Sequence, residues 1–209
     1  MEGTYKARVG RILFYFFLKP KDSIRWLKYL LKKNRAIDSS IPWMTWAAID
    51  YLDSIIKPEF EVLEWGGGGS TVYFLKKGCK VTTIESSTEW KDNIEDMVKD
   101  TPFFNNLDLR LVPAEKEKEG GQDNYISAVK DGGPWDLVVV DGIEASRVAC
   151  VKEAMEKVKP GGMLLLDDAY WSIYDEVPSL LKDWKRIKFR GFGPERLGVS
   201  QTDIYYAPK

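Results

Sequence analysis

Glu61-Val62-Leu63-Glu64-Trp65-Gly66-Gly67-Gly68-Gly69-Ser70-Thr71 is the stretch on which the reading of this chain turns. An apolar strand that runs straight into glycines permits a tight turn and lets a ligand approach the backbone. It also aims the amide N–H groups of the next helix at a polar ligand. Four consecutive glycines cost more backbone entropy than a plain turn requires, so the run points to a ligand. As a dinucleotide fingerprint the stretch fits poorly, because Gly66-x-Gly68 is followed by Thr71 where a third small residue belongs. The acid Glu64 ahead of the glycines repels a pyrophosphate and suits a cationic ligand.

Outward from this stretch the chain alternates. A helical segment from Trp43 to Ile56, stopped near Pro58, precedes the strand Phe60 to Leu63. A short helix around Thr71 to Lys77, a strand Lys80 to Ile84, and a helix from Thr88 to Val98 follow. Then come a strand Leu107 to Val112, a helix near Tyr125 to Lys130, and a strand Trp135 to Val140. A long helix from Glu144 to Val158 is expected to end at Pro160-Gly161-Gly162, ahead of the strand Met163 to Leu166. Alternation of this length predicts an α/β fold with a doubly wound parallel sheet, whose ligands sit beyond the carboxyl ends of the strands. In the tail, Glu176 to Trp184 reads as a helix despite Pro178. Arg186 to Phe189 and Thr202 to Tyr206 read as two strands, joined without a helix and so paired antiparallel at one edge.

Composition removes several chemistries. The 209 residues allow one well-filled domain with an appendage, and 44% hydrophobic against 30% charged is an ordinary globular balance. There is no His, which excludes imidazole bases, Ser-His-Asp and Cys-His nucleophiles, and His-ligated zinc. Cys79 and Cys150 are too few for a disulfide scaffold, so a reducing compartment, the cytoplasm, is expected.

Charge divides the chain into a basic helical extension, residues 1–41, and a main domain, residues 42–209. Residues 1–36 carry ten Lys and Arg against Glu2 and Asp22, a net of +8, so the remainder carries −9. The apolar run Ile12 to Leu18 is far too short to span a bilayer. One or two helices broken at Pro20 are expected, with Ile24, Leu27, Leu30 and Leu31 at helical spacing among Arg25, Lys28, Lys32 and Lys33. Two readings stay open: a cap with a solvated basic face, or a surface that docks on anionic lipid or a polyanionic substrate.

Glu85 ends the second strand, where a doubly wound sheet places a carboxylate able to accept both ribose hydroxyl protons. With the glycine loop, this makes the sequence resemble the class I S-adenosylmethionine-dependent methyltransferases from about residue 42 onward. Glu64-Trp65-Gly66-Gly67-Gly68-Gly69-Ser70 matches their first motif, with Ser70 in the last glycine position. Pro113-Ala114-Glu115 falls where these enzymes contact adenine. Trp135 to Gly142 matches the fourth-strand motif, Lys159-Pro160-Gly161-Gly162 the turn before the fifth strand, and the final antiparallel pair the family's seven-stranded sheet. The resemblance implies S-adenosylmethionine as cofactor, held by Glu64, Trp65, Gly66, Gly67, Gly68, Ser70, Glu85, Ser86, Ala114, Glu115 and Asp141.

Asp141 after the fourth strand and Asp167-Asp168 after the fifth stand on neighbouring strands. They resemble the Mg²⁺ site of catechol-type O-methyltransferases, although Glu144 stands where that group has a basic residue. Three roles remain open for them: metal ligands, a metal-free pair in which Asp141 and Asp168 orient or deprotonate the nucleophile, or loop and helix caps. Trp43 and Trp46 are candidates to close over the cofactor, though aromatics at this spacing also suit a core. Tyr170, Trp171 and Tyr174 are candidates for a substrate wall, and Arg147 reads as an anion clamp or a solvated helix charge.

The expected function is methyl transfer to oxygen on a small-molecule or glycan-like acceptor. No Asn-Pro-Pro-Tyr type sequence follows the fourth strand, so no nucleic-acid partner is expected. Two alternatives stand beside it: a nicotinamide-dependent oxidoreductase, and a non-catalytic or peripheral membrane module on the same fold.

Overall fold

Burial is continuous from Val62 to Trp65 along β1 (Glu61–Trp65), as a strand covered on both faces requires. Val62 packs with one apolar cluster and Leu63 and Trp65 with the other. The computed structural model describes residues 5–31, 40–114, 120–194 and 198–209. Beside β1 lie β2 (Lys80–Glu85), β3 (Leu107–Leu111), β4 (Trp135–Val140), β5 (Val158–Leu166), β6 (Lys185–Gly191) and β7 (Ser200–Tyr206). They form one seven-stranded sheet in the order β3-β2-β1-β4-β5-β7-β6. The first five are parallel, and β7 pairs antiparallel with both β5 and β6, as expected of two late strands joined without a helix.

Helices cover both faces. The cluster containing Val62 includes Leu52 of α3 (Trp46–Ile55), Phe74 of α4 (Gly69–Lys76) and Val98 of α5 (Thr88–Val98). The opposite cluster includes Tyr125 of α6 (Asp123–Ser127), Val151 of α7 (Arg147–Ala154) and Val177 of α8 (Val177–Leu180). The basic extension supplies two helices, α1 (Tyr5–Leu18) and α2 (Pro20–Leu31), divided where Pro20 opens the second. Among the described residues no helix is long and apolar enough to cross a membrane.

Three expected elements change. The long helix is α only from Arg147 to Ala154, with 3₁₀ turns at Glu144–Ser146 and Met155–Lys157. The Pro160-Gly161-Gly162 stretch lies inside β5 rather than before it: Trp135 pairs with Val158 and Leu137 with Met163, so the extra residues loop out as a bulge. Gly161 takes the left-handed conformation there, at φ 72°. The tail helix shrinks to Val177–Leu180, because Pro178 fits its first turn but not an interior.

The register sets the position of the site. Trp65 pairs with Ile84 on one side and Val140 on the other, so β1, β2 and β4 end in one row. The Gly66 amide donates to the Ile84 carbonyl at 2.9 Å, and the Asp141 amide to the Trp65 carbonyl at 3.0 Å. Glu85 and Asp141 therefore flank the glycine loop where the strand order reverses, the place at which open α/β sheets bind ligands.

Candidate active site

A cleft of about 860 Å³ opens beyond the carboxyl ends of β1, β2 and β4. The loop Gly66 to Ser70 forms one wall, Glu85 to Ser87 with Trp90 a second, and Asp141 to Ala145 with Arg147 a third. Asp168 and Trp171 line the far end, with Trp43 and Pro194 also against it. Gly66 has to be glycine: its φ is 85°, and a Cβ there would stand 2.6 Å from the Gly142 Cα.

Glu64 lies behind the loop rather than on the cleft wall. Fully buried, it accepts hydrogen bonds from Thr71 Oγ1 at 2.8 Å and Ser70 Oγ at 3.2 Å, and Thr71 Oγ1 in turn accepts from the Gly68 amide at 3.0 Å. Burial pushes its carboxyl up to about 8, against the downward pull of those hydroxyls. Its role in the geometry is to hold the loop closed. The Trp65 side chain points to the opposite face of the sheet, since strand side chains alternate, and its indole Nε1 donates to the Tyr125 carbonyl at 3.0 Å. Neither residue is among those lining the cleft, although the sequence offered both as cofactor contacts.

Glu85 does line it, but with less free capacity than expected. Its Oε1 accepts from the amides of Ser86 and Ser87, both at 2.7 Å, and its Oε2 from the amide of Gly67 at 2.8 Å. With about four acceptor positions on a carboxylate, one remains on Oε2 for a ligand donor instead of two. Gly67, Gly68, Ser70, Ser86 and Asp141 lie on the cleft. Ala114 is not among the cleft-lining residues and packs at the edge of the α6–α7 core, while Glu115 falls outside the described residues.

The acidic trio does not form a metal cage. Asp141 Oδ1 is held 3.0 Å from the Arg147 guanidinium. Fully buried Asp167 accepts from Thr202 Oγ1 at 2.6 Å, and Asp168 accepts from Ser200 Oγ at 2.9 Å, both donors belonging to β7. Among the described residues no three His, Cys, Asp or Glu side chains converge as ligands. Carboxylate oxygens are ligands that Mg²⁺ accepts, but here they are held by separate partners and do not converge on one centre. Asp168 takes a left-handed backbone at φ 54°, a strained conformation for a non-glycine residue and one that recurs at functional sites.

Arg147 is the residue that sequence reasoning placed least well. Instead of a solvated charge it is a buried one, donating through Nε to the Gly142 carbonyl, through one terminal nitrogen to the Asp167 carbonyl and through the other to the Asp141 carbonyl, at 2.9 to 3.1 Å. Its guanidinium also lies over the Tyr174 ring at 5.8 Å, and Tyr174 stacks on Trp171. A basic partner for Asp141 thus arrives six residues later, across the Glu144–Ser146 turn, which was the one signal the sequence offered. Tyr125 and Trp90 were missed outright. The Tyr125 hydroxyl is buried at the cleft wall beside the Ile143 backbone, and Trp90 meets Trp43 edge-on at 5.8 Å. Trp46, by contrast, is core, and Tyr170 is exposed off the cleft.

No family model and no curated protein matches the chain. Solved structures do. The O-methyltransferase TomG from Streptomyces achromogenes, involved in tomaymycin synthesis and solved with S-adenosylmethionine, superposes with a TM-score of 0.65 at 14% identity, covering 88% of this chain and 98% of that one. An O-methyltransferase from Bacillus cereus in complex with S-adenosylhomocysteine gives 0.62 at 13% identity, over 94% and 99%. The chain has the class I methyltransferase fold. The N-methyltransferase NodS from Bradyrhizobium japonicum shares this fold at a TM-score of 0.55 and 15% identity, covering 76% of this chain and 90% of that one. The methyltransferase fold therefore leaves the accepting atom open.

Proposed function

We propose that this chain is an S-adenosylmethionine-dependent methyltransferase acting on oxygen of a small-molecule or glycan-like acceptor. The observation that carries the reading is the charge of the cleft. At the switch point of the sheet it presents Glu85, Asp141, Glu144 and Asp168, with Arg147 the one cation among the described residues that line it. Such a field favours a sulfonium and disfavours the pyrophosphate of a nicotinamide dinucleotide. The backbone of Gly66 to Ser70, the open position on Glu85 Oε2 and the Tyr125 hydroxyl are the groups that would hold the cofactor. When bound, S-adenosylmethionine supplies an electrophilic methyl group for in-line displacement.

The chain's own part is positioning and proton handling. An acceptor oxygen must be held about 3 to 3.5 Å from the methyl carbon and lose its proton as the bond forms. Asp168, on the cleft and bonded through one oxygen to Ser200, is the carboxylate we assign to that proton. Asp141, engaged by Arg147, holds the cleft wall in place. Trp171 supplies an apolar wall for the acceptor. The O-methyltransferases among the structures of the same fold are compatible with oxygen as the accepting atom.

Calorimetric titration with S-adenosylhomocysteine, and in parallel with NADH, tests the reading. Micromolar binding of the first with no heat from the second is expected, and a chelator should change neither. Binding of NADH alone would move the chain to the oxidoreductases.

A further inference from the structure

The outer face of the first two helices has no part in the cleft. Along α2, Ser23, Trp26 and Tyr29 recur at helical spacing and face inward. Trp26 stacks on Phe192 at 4.7 Å, Tyr29 meets Trp46 edge-on at 5.8 Å, and Ser23 Oγ donates to the carbonyls of Phe16 and Lys19, binding α1 to α2. On a helix that caps a water-soluble domain the opposite face is polar. Here it carries Ile24, Leu27 and Leu31, the last 84% exposed, and α1 adds Phe14, Phe17 and Leu18, with Phe17 81% exposed. Eight of the twelve exposed large apolar side chains among the described residues lie on these two helices, which is a patch and not a scatter.

Charge selects the occupant. Arg11, Lys21 and Lys28 are exposed on the same two helices, within a segment whose net charge is +8 while the rest of the chain carries −9. A second copy would bring one basic face against another. An anionic bilayer satisfies both features at once, because apolar side chains enter the boundary of headgroup and acyl chain while Lys and Arg reach the phosphates. We propose that α1 and α2 form a peripheral docking surface for membranes rich in anionic phospholipid. The helices lie on the surface and do not span it. Trp26 rests on Phe192, two residues before Pro194 of the cleft wall, so the docking surface and the cleft share a loop. The proposal stands independently of the methyltransferase reading.

Flotation of the whole chain with vesicles of phosphatidylcholine, and of phosphatidylcholine with roughly one-third phosphatidylglycerol, tests it. Binding to the mixed vesicles that weakens with salt is expected, with little binding to the neutral ones. The double variant Phe17→Glu/Leu31→Glu, at two exposed positions, should lose binding at least about tenfold with an unchanged unfolding midpoint. Lys28→Glu should weaken only the anionic-vesicle binding. The proposal fails if the chain ignores the mixed vesicles or if the double variant binds them equally. It also fails if sedimentation shows a dimer that the double variant abolishes, which would give the face to a second copy.

Discussion

Arg147 and Asp141 lie 3.0 Å apart across a 3₁₀ turn, and the same guanidinium reaches the backbone carbonyls of Asp141, Gly142 and Asp167. One cation thereby ties the loop after β4 to the loop after β5. It also satisfies three carbonyls that the strand ends leave without ladder partners.

Removing it should unfold more than it liberates. Arg147→Ala removes the cation beside Asp141 and the donor to three carbonyls, an expected loss of about 3 to 5 kcal/mol in urea unfolding. Arg147→Lys should recover little of this, since an ammonium lacks the planar fork that serves separated acceptors. Full recovery by lysine would show that charge alone is needed.

Glu64 predicts a pH dependence of stability. The folded chain keeps the proton of this carboxyl up to about 8, whereas the unfolded chain loses it near 4.5. In that window the native state binds more protons than the unfolded state, so this group's contribution falls as pH rises, by at most about 1.4 kcal/mol per unit. Glu64→Gln cannot ionise. Its melting temperature relative to the unmodified chain should climb across the window, and a constant difference would refute the assignment.

Glu85 holds three amides and keeps one open acceptor position. Glu85→Ala should weaken S-adenosylhomocysteine binding by more than about tenfold, through loss of a charge-assisted bond and of the loop it organises. Calorimetry reads this directly, and unchanged affinity would place the ligand elsewhere.

The Tyr125 hydroxyl is buried at the cleft wall beside the Ile143 backbone. Tyr125→Phe removes a buried hydroxyl and should change stability by no more than about 1 kcal/mol, while ligand affinity falls several-fold. Gly142→Ala drives a Cβ into that same hydroxyl and should be destabilising. The double variant should recover part of the loss. Thermal unfolding of the three variants gives the coupling.

The order and type of most elements were legible in the sequence. Hydrophobic alternation and glycine or proline punctuation are local signals, and β4 and α5 begin and end where that pattern says. The glycine loop and Glu85 were legible as a site for the same reason, as a strand end followed by a turn places its ligands by chain geometry. Bulges and short helices were not. The Pro160 to Gly162 excursion reads locally as a turn, and only pairing with β4 makes it an interruption within a strand.

By itself, then, the sequence determined the doubly wound sheet, the edge at which the cleft opens, the absence of imidazole chemistry and the basic character of residues 1–36. The tertiary structure alone decided which side chains face the cleft. It turned Glu64 and Trp65 away, buried Arg147 among the carboxylates and bound Asp167 and Asp168 to β7 instead of to a common centre. The physical reason is that backbone order follows from local periodicity, whereas the partner of a buried charge is chosen among residues distant in sequence. The same holds for the outer face of α2: the spacing of its leucines was visible, but that nothing covers them is a fact of packing among the described residues.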